Sequence, residues 1–345
     1  MLGFGPTRSE YGPPTLRGTF SGQAGCRGMS GASPVLLVRS GGPAALPEWR
    51  AAFAAVLPGI EVLGWTDPDL DPARVRWVLV WEPEPGRIAG YPNLRAVFST
   101  AAGVDHITRD PFLPPHLPIV RMGAEEMARS VGEYVTMAAL MILRDAPRML
   151  AAHEAGRWDA FFPPRTARET RVGILGLGRI GQMAAGMLRG IGFPVQGWTR
   201  TRRTIQGVES FAGIDELDAF LASSDILVGI LPDTPQTRAL LNRERLAKLP
   251  KGAGLVSAGR GTLVVLPDLL AALDAGHLSF AVLDVFETEP LPPDSPAWKH
   301  PRVLVTAHVA GFASRRARAE SVARAVAQIE AGEQPDNLYD RERGY

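Results

Sequence analysis

Val172-Gly173-Ile174-Leu175-Gly176-Leu177-Gly178-Arg179-Ile180-Gly181 is the stretch whose reading decides the fold. Val172–Leu175 is a short apolar run that reads as a buried strand, and Ile180–Arg189 has the apolar spacing of a helix. Between them the glycines stand as G-x-G-x-x-G. The first permits a tight turn, the second lets backbone approach a pyrophosphate, and the third lets the helix lie close on the strand. The helix start adds free amides and partial positive charge. A ligand-free glycine turn would share the composition, so the strand-before, helix-after setting carries the weight.

The alternation continues on both sides. Downstream, Pro194–Trp198, Ile226–Leu231, Gly254–Ser257, Ser279–Asp284 and Val303–Thr306 read as strands. Ile214–Ala222, Asn242–Lys248 and Leu266–Ala275 read as helices, and a closing helix spans about Ser314–Ala331. Upstream, Pro34–Val38, Glu61–Gly64, Val75–Trp81, Leu94–Ser99 and Ile119–Arg121 read as strands, with Pro47–Val56 as a helix. From Gly123 to about Trp158 the spacing is helical, with Met127, Val131, Tyr134 and Ala138 on one face, long enough to bridge two domains. The expected fold is α/β: two Rossmann-like domains with parallel sheets and the active site in the cleft between them.

Bulk properties narrow the function. The chain has 345 residues, 46% hydrophobic and 21% charged, as in an ordinary globular protein. Lys plus Arg number 37 against 36 Asp plus Glu, so no global field recruits nucleic acid or an anionic membrane. Cys26 is the only cysteine, which excludes an internal disulfide and a cysteine zinc site and suits a cytoplasmic setting. No metal site is expected. No apolar run reaches the roughly 18 residues of a membrane span. Residues 1–32 hold eight glycines and three prolines without periodicity, which reads as a disordered tail or a start placed too early, with Met29 as the true start.

The strand after the fingerprint helix should end on the group that reads the adenosine ribose. A dinucleotide without a 2′-phosphate calls for an acid there. This chain has Trp198-Thr199-Arg200-Thr201-Arg202-Arg203, with no carboxylate and three arginines. Guanidinium binds a 2′-phosphate through charge-assisted hydrogen bonds, so NADPH is preferred, with NADH possible. Gly176, Gly178, Arg179, Ile180, Gly181, Thr199, Arg200, Thr201 and Arg203 are the expected cofactor contacts, joined by Ala258 and Asp284 at later strand ends.

Three further segments sit at strand ends, where such sheets place their ligand. They are Val256-Ser257-Ala258-Gly259-Arg260-Gly261, Asp284-Val285-Phe286-Glu287-Thr288-Glu289-Pro290 and Thr306-Ala307-His308-Val309-Ala310-Gly311. Reducing a keto acid by hydride at C2 leaves charge on the carbonyl oxygen, which needs a proton. His308 is suited to donate it, Glu289 to orient the ring, and Arg260 to hold the substrate carboxylate or carbonyl. Each residue alone has a plain explanation, as surface arginine, turn former or structural histidine, and Glu287 competes for the acid role. Histidines 106, 116, 153, 277 and 300 lack such company and read as mostly structural.

With these residues in view, the chain from about Ser33 to Tyr345 resembles the D-isomer-specific 2-hydroxyacid dehydrogenases. The 29 residues from Arg260 to Glu289 and the 19 from there to His308 are similar to the glyoxylate/hydroxypyruvate reductase branch. So are Leu79-Val80-Trp81, Phe98-Ser99-Thr100-Ala101-Ala102-Gly103-Val104-Asp105, Gly197–Arg202 and Asp340-Arg341-Glu342-Arg343-Gly344-Tyr345. The resemblance implies that Trp81 and the amides near Ala102 and Gly103 meet the substrate, and that Leu231, Pro232 and Thr237 border the cofactor. It also implies a substrate domain of residues 33–122 plus 312–345, a dinucleotide domain of residues 123–311, and a homodimer.

Two departures stand out: Ser257 replaces a common asparagine, and Thr100-Ala101 replaces a frequent Leu-Gly. The second makes the identity of the keto acid less secure than the reaction. Rival readings are a relative acting on formate, phosphite or a larger keto acid, and a nucleotide-sensing binding protein of the same fold. Formate-specific relatives carry glutamine where this chain has Glu289, which argues against the first.

Overall fold

All of the expected strands form, and every strand pairing in the two sheets is parallel. The structure, a computed structural model, describes residues 33–345; the tail or early start expected over 1–32 lies outside them. The first part runs β1 (Val35–Arg39), α1 (Leu46–Ala54), β2 (Glu61–Gly64), β3 (Val75–Val80), β4 (Ala96–Ser99), α2 (Asp105–Thr108) and β5 (Ile119–Val120). Two helices follow, α3 (Glu125–Leu143) and α4 (Ala146–Glu154). The second part runs β6 (Val172–Leu175), α5 (Arg179–Ile191), β7 (Val195–Thr199), β8 (Glu209–Ala212), α6 (Leu217–Ala222), β9 (Ile226–Gly229) and α7 (Arg243–Leu246). It continues with β10 (Ala253–Ser257), α8 (Leu266–Asp274), β11 (Leu278–Leu283), β12 (Val303–Val305) and α9 (Arg315–Glu330).

The five-stranded sheet has the order β2-β1-β3-β4-β5 and the seven-stranded sheet β12-β11-β10-β9-β6-β7-β8. Both are doubly wound α/β sheets, so the chain has the expected two-sheet Rossmann-type architecture. Pairing in the larger sheet brings Leu175, Gly229, Ser257, Leu283 and Val305 level. The residues after them, Gly176, Ile230, Ala258, Asp284 and Thr306, therefore leave the sheet along one edge. In the smaller sheet Arg39, Val80 and Ser99 are level, so Trp81 and Thr100 emerge together.

Each sheet has apolar clusters of its own. Trp49, Phe53, Trp77 and Phe98 fill one side of the smaller sheet, where α9 contributes Ala319, Val322, Ala325 and Val326. Burying each such aromatic stabilises by roughly 2–3 kcal/mol. Helix α3 serves both sheets: Met127 belongs to that cluster, whereas Val131, Tyr134, Val135 and Ala138 pack in the larger sheet's core.

The helical stretch expected from Gly123 to about Trp158 is two helices rather than one continuous element. The first stops at Leu143, Asp145 takes a left-handed φ of 53°, and α4 starts afresh with Pro147 in its first turn. Proline lacks the N–H an unbroken helix needs and clashes with the preceding turn. Trp158 lies beyond α4 and is 96% exposed. Strand β8 was not expected: it is a four-residue edge strand, none of it fully buried, so it lacks an apolar run. No helix among the described residues is long and apolar enough to cross a membrane.

Candidate active site

His308 and Glu289 meet at the edge of the larger sheet. His308 Nδ1 lies 2.7 Å from Glu289 Oε2, while Glu289 Oε1 accepts from the Phe286 amide at 2.8 Å. Burial opposes the Glu289 charge, but the bonds from His308 and Phe286 and the nearby Arg260 hold its pKa below the usual carboxylate value. An ionised carboxylate only accepts, so Nδ1 carries the proton and Nε2 is the nitrogen left for chemistry. Glu287, the competing acid, lines a separate cavity with Arg238 and Thr262.

His308 stands at φ 53°, a conformation that costs a non-glycine residue about 1–2 kcal/mol. A knot around Asp284 sustains it. The Asp284 carbonyl accepts from the His308 amide at 2.9 Å, and its carboxylate accepts from the amides of Val309 and Ala310 at 2.8 and 2.9 Å. Thr306 Oγ1 donates to the same carboxylate at 2.6 Å and lies 2.8 Å from the Tyr134 hydroxyl. Burial, offset in part by Thr306, pushes the Tyr134 phenol up to about 12. Asp284, expected as a cofactor contact, thus spends both oxygens on the histidine loop.

Arg260 follows β10 and reaches the smaller sheet. Its Nε donates to Asp105 Oδ1 at 2.8 Å and its Nη1 to the Gly259 carbonyl at 2.9 Å. Burial opposes the charge of Asp105, yet Arg260 holds its carboxyl below the usual range. The remaining nitrogen, Nη2, packs on Gly103 so closely that a Cβ there would lie 1.5 Å away. Ser99 Oγ ties the loop by donating to the Gly103 carbonyl at 2.8 Å and accepting from the Ala101 amide at 3.0 Å. The amides of Ala102 and Gly103 and Arg260 Nη2 have no acceptor among the described residues. Unpaired donors of this kind are suited to cradle a carboxylate.

Trp81 closes the space beside them. Its ring lies tilted by 33° against His106 with centroids 4.3 Å apart and meets His308 edge-on at 6.4 Å. His106 is 2% exposed, and burial lowers its pKa to about 4, so it backs Trp81 as a neutral ring.

The fingerprint turn has the geometry its glycines promise. Gly176 has φ 104°, and a Cβ on Gly181 would lie 1.9 Å from the Gly176 carbonyl oxygen. A Cβ on Gly178 would meet nothing within 4 Å, so the backbone there is open to a pyrophosphate at the start of α5. Arg179 is exposed beside it, and Ile180 packs on the core below. Leu231 borders the turn, and Thr237 Oγ1 knots its loop by donating to the Pro232 carbonyl at 2.6 Å. Ala258 begins the segment that leads to Arg260, its amide held by the Gly229 carbonyl at 3.0 Å.

Beyond β7, Thr199 Oγ1 donates to the Thr201 carbonyl at 2.7 Å, and Arg203 donates to the Leu177 carbonyl at 3.3 Å. Arg202 turns away to Glu216 and the Ser210 carbonyl, whereas Arg200 and Thr201 stay exposed at the turn. These residues fit a phosphorylated dinucleotide.

Sequence reasoning missed Asp105, Tyr134 and Thr306 as parts of the site. Asp105 stood inside a quoted motif, but its bond to Arg260 joins residues far apart in the chain, and no local pattern marks it.

Comparison with known proteins gives the family. A sequence model described as D-isomer specific 2-hydroxyacid dehydrogenase, NAD binding domain, matches residues 136–310. A D-isomer specific 2-hydroxyacid dehydrogenase from Xanthobacter autotrophicus Py2, solved with NADPH and MES, is 42% identical, with TM-score 0.86, covering 91% of this chain and 100% of its own. An NADPH-dependent glyoxylate/hydroxypyruvate reductase from Sinorhizobium meliloti, solved with NADP and sulfate, is 38% identical with TM-score 0.83 and the same coverage. A probable 2-hydroxyacid dehydrogenase from Rhizobium etli CFN 42, solved with NADP, HEPES and L(+)-tartaric acid, is 36% identical with TM-score 0.82, again covering 91% and 100%. With identity this high over so much of its length, the chain belongs to the family of D-isomer specific 2-hydroxyacid dehydrogenases, NAD(P)-dependent oxidoreductases acting on CH–OH donors.

Proposed function

We propose that this enzyme reduces a small 2-keto acid, glyoxylate or hydroxypyruvate, to the 2-hydroxy acid with NADPH. The observation that carries the reading is the Glu289–His308 pair beside Arg260, whose charge bears on Glu289 and whose Nη2 packs on Gly103. Bound NADPH supplies the hydride that reaches C2. Arg260 Nη2 and the two amides hold the substrate carboxylate, which fixes the carbonyl toward His308. His308 gives its Nε2 proton to the carbonyl oxygen as charge develops there, and keeps its Nδ1 proton, which it donates in a hydrogen bond to Glu289. Trp81 limits the space beyond C2 and so favours a short acid.

Arg200 and Arg203, with no acid at the same turn, support NADPH over NADH. The NADP bound by the Sinorhizobium reductase supports the same preference. The domain assignment is part of the proposal: residues 33–122 plus 312–345 take the substrate, and residues 123–311 take the dinucleotide. The packing of α9 on the smaller sheet supports it. A cytoplasmic location and a homodimer complete the reading, the dimer supported by the exposed Met149, Leu150, Trp158 and Phe162 on and after α4.

The test is NADPH oxidation followed by absorbance across glyoxylate, hydroxypyruvate, pyruvate and phenylpyruvate, repeated with NADH. Turnover of the two short acids with preference for NADPH is expected. No turnover of any of them would overturn the proposal and favour a nucleotide-sensing role.

A further inference from the structure

The last residues of the sequence carry a feature that the proposed reaction does not use. Their root is on the smaller sheet. Leu338 bridges Val120, the Tyr339 amide donates to the Ile119 carbonyl at 2.8 Å, and Arg341 donates to the carbonyls of Pro114 and Leu117. There the chain folds back. Asp340 Oδ1 accepts from the amides of Glu342 and Arg343 at 2.9 and 3.0 Å, and the Gly344 amide donates to the Asp340 carbonyl at 2.9 Å.

This turn carries the end of the chain to the other sheet. Gly344 has φ 79°, and a Cβ on it would lie 3.3 Å from Thr234 Cγ2, in the loop that Thr237 knots. The Tyr345 hydroxyl accepts from Arg200 Nη2 at 3.1 Å, and the guanidinium carbon lies 5.3 Å from the tyrosine ring centroid. Two segments of the dinucleotide side thus meet the last two residues of a tail rooted on the substrate side.

The chemistry of that contact differs from its neighbour's. Arg202 is paired with the carboxylate of Glu216, which neutralises it for any incoming phosphate. Arg200 is held by a ring face and a hydroxyl, which restrict a long side chain without cancelling its charge. An arginine so prepared loses less conformational freedom when it meets a dianion.

We propose that Tyr345 is a positioning residue for cofactor choice: it holds Arg200 ready for the 2′-phosphate of NADPH and so helps set the preference over NADH. This rests on the reading of Arg200 as the phosphate-binding residue. Part of the recognition of the dinucleotide is then supplied from the substrate side of the cleft.

The test is steady-state kinetics with NADPH and NADH at fixed keto acid for Tyr345→Ala, Tyr345→Phe, Arg200→Ala and the Arg200→Ala/Tyr345→Ala double variant. Tyr345→Ala should raise KM for NADPH about 3- to 10-fold while kcat and KM for NADH hold. Tyr345→Phe, which keeps the ring, should restore most of the loss, and the double variant should be no worse than Arg200→Ala. If Arg200→Ala abolishes the NADPH preference but Tyr345→Ala leaves it intact, the role of Tyr345 is refuted and that of Arg200 survives. If Arg200→Ala leaves the preference unchanged, the underlying reading fails as well. Equal losses with both cofactors in Tyr345→Ala would reduce the contact to general structure and overturn the proposal.

Discussion

At the proposed catalytic pair, the division of labour between the two imidazole nitrogens follows from the charge on Glu289. Replacing Glu289 by glutamine keeps the shape and removes the charge, so the ring loses its fixed tautomer. We expect kcat to fall on the order of 10–100-fold with the affinity for NADPH unchanged, read by kinetics and by cofactor titration. Because Arg260 and His308 hold the Glu289 pKa below its usual value, the carboxylate keeps its charge until the pH falls through that depressed value. Loss of wild-type turnover through protonation of Glu289 therefore belongs to the acid side of pH 4.5. At the cradle, Asp105→Asn weakens the grip on Arg260 Nε. KM for the keto acid should rise about 5- to 20-fold with kcat less affected. An unchanged KM would show that Arg260 needs no such anchor.

Among the elements, the knot around Asp284 shows how strands set the chemistry. Val305 ends its strand level with Leu283, which places the loop that follows directly over Asp284. Asp284→Ala would leave the amides of Val309 and Ala310 without their acceptor while His308 is held at positive φ. We expect a loss of about 2–4 kcal/mol in unfolding free energy, and lower turnover even where the protein is folded. Chemical denaturation and kinetics check the two effects separately.

Elements of this kind were legible in the sequence to different degrees. The fingerprint turn and its flanking strand and helix were read directly, because glycine spacing and apolar periodicity are local. The break before Pro147 was signalled by the proline but overridden by apolar spacing that continued past it. Edge strand β8 had no such spacing to read. The placing of Arg260, Glu289 and His308 at strand ends was legible; the contacts of Asp105, Tyr134 and Thr306 were not, because they join distant parts of the chain.

For the whole molecule, pH links one buried ring to stability. Burial holds the His106 pKa at about 4, below the free value of 6.5. As pH falls from 6.5 toward 4, the unfolded chain takes a proton that the folded chain refuses, so stability is full above this window and falls within it. The loss is on the order of 2–4 kcal/mol. Thermal melting of the wild type should therefore weaken from pH 6.5 downward, and His106→Asn should flatten that slope. A wild-type Tm that stays level across the window would contradict this account.

Helix α3 has a mechanical consequence as well. The polypeptide passes between the smaller and larger sheets near Gly123 and again near Gly311–Ser314, and both passages lie against the first turns of this helix. Ser130 Oγ donates to the Ala310 carbonyl and accepts from the Phe312 amide, and Glu126 accepts from Ser314. Two neighbouring passages define a single pivot. A swing of one sheet against the other would turn on it, and the tail that reaches Arg200 would act as a catch away from that pivot. Stiffness at Gly123 or Ser314 would then govern how often the cleft admits and releases its ligands, from a distance and without touching them.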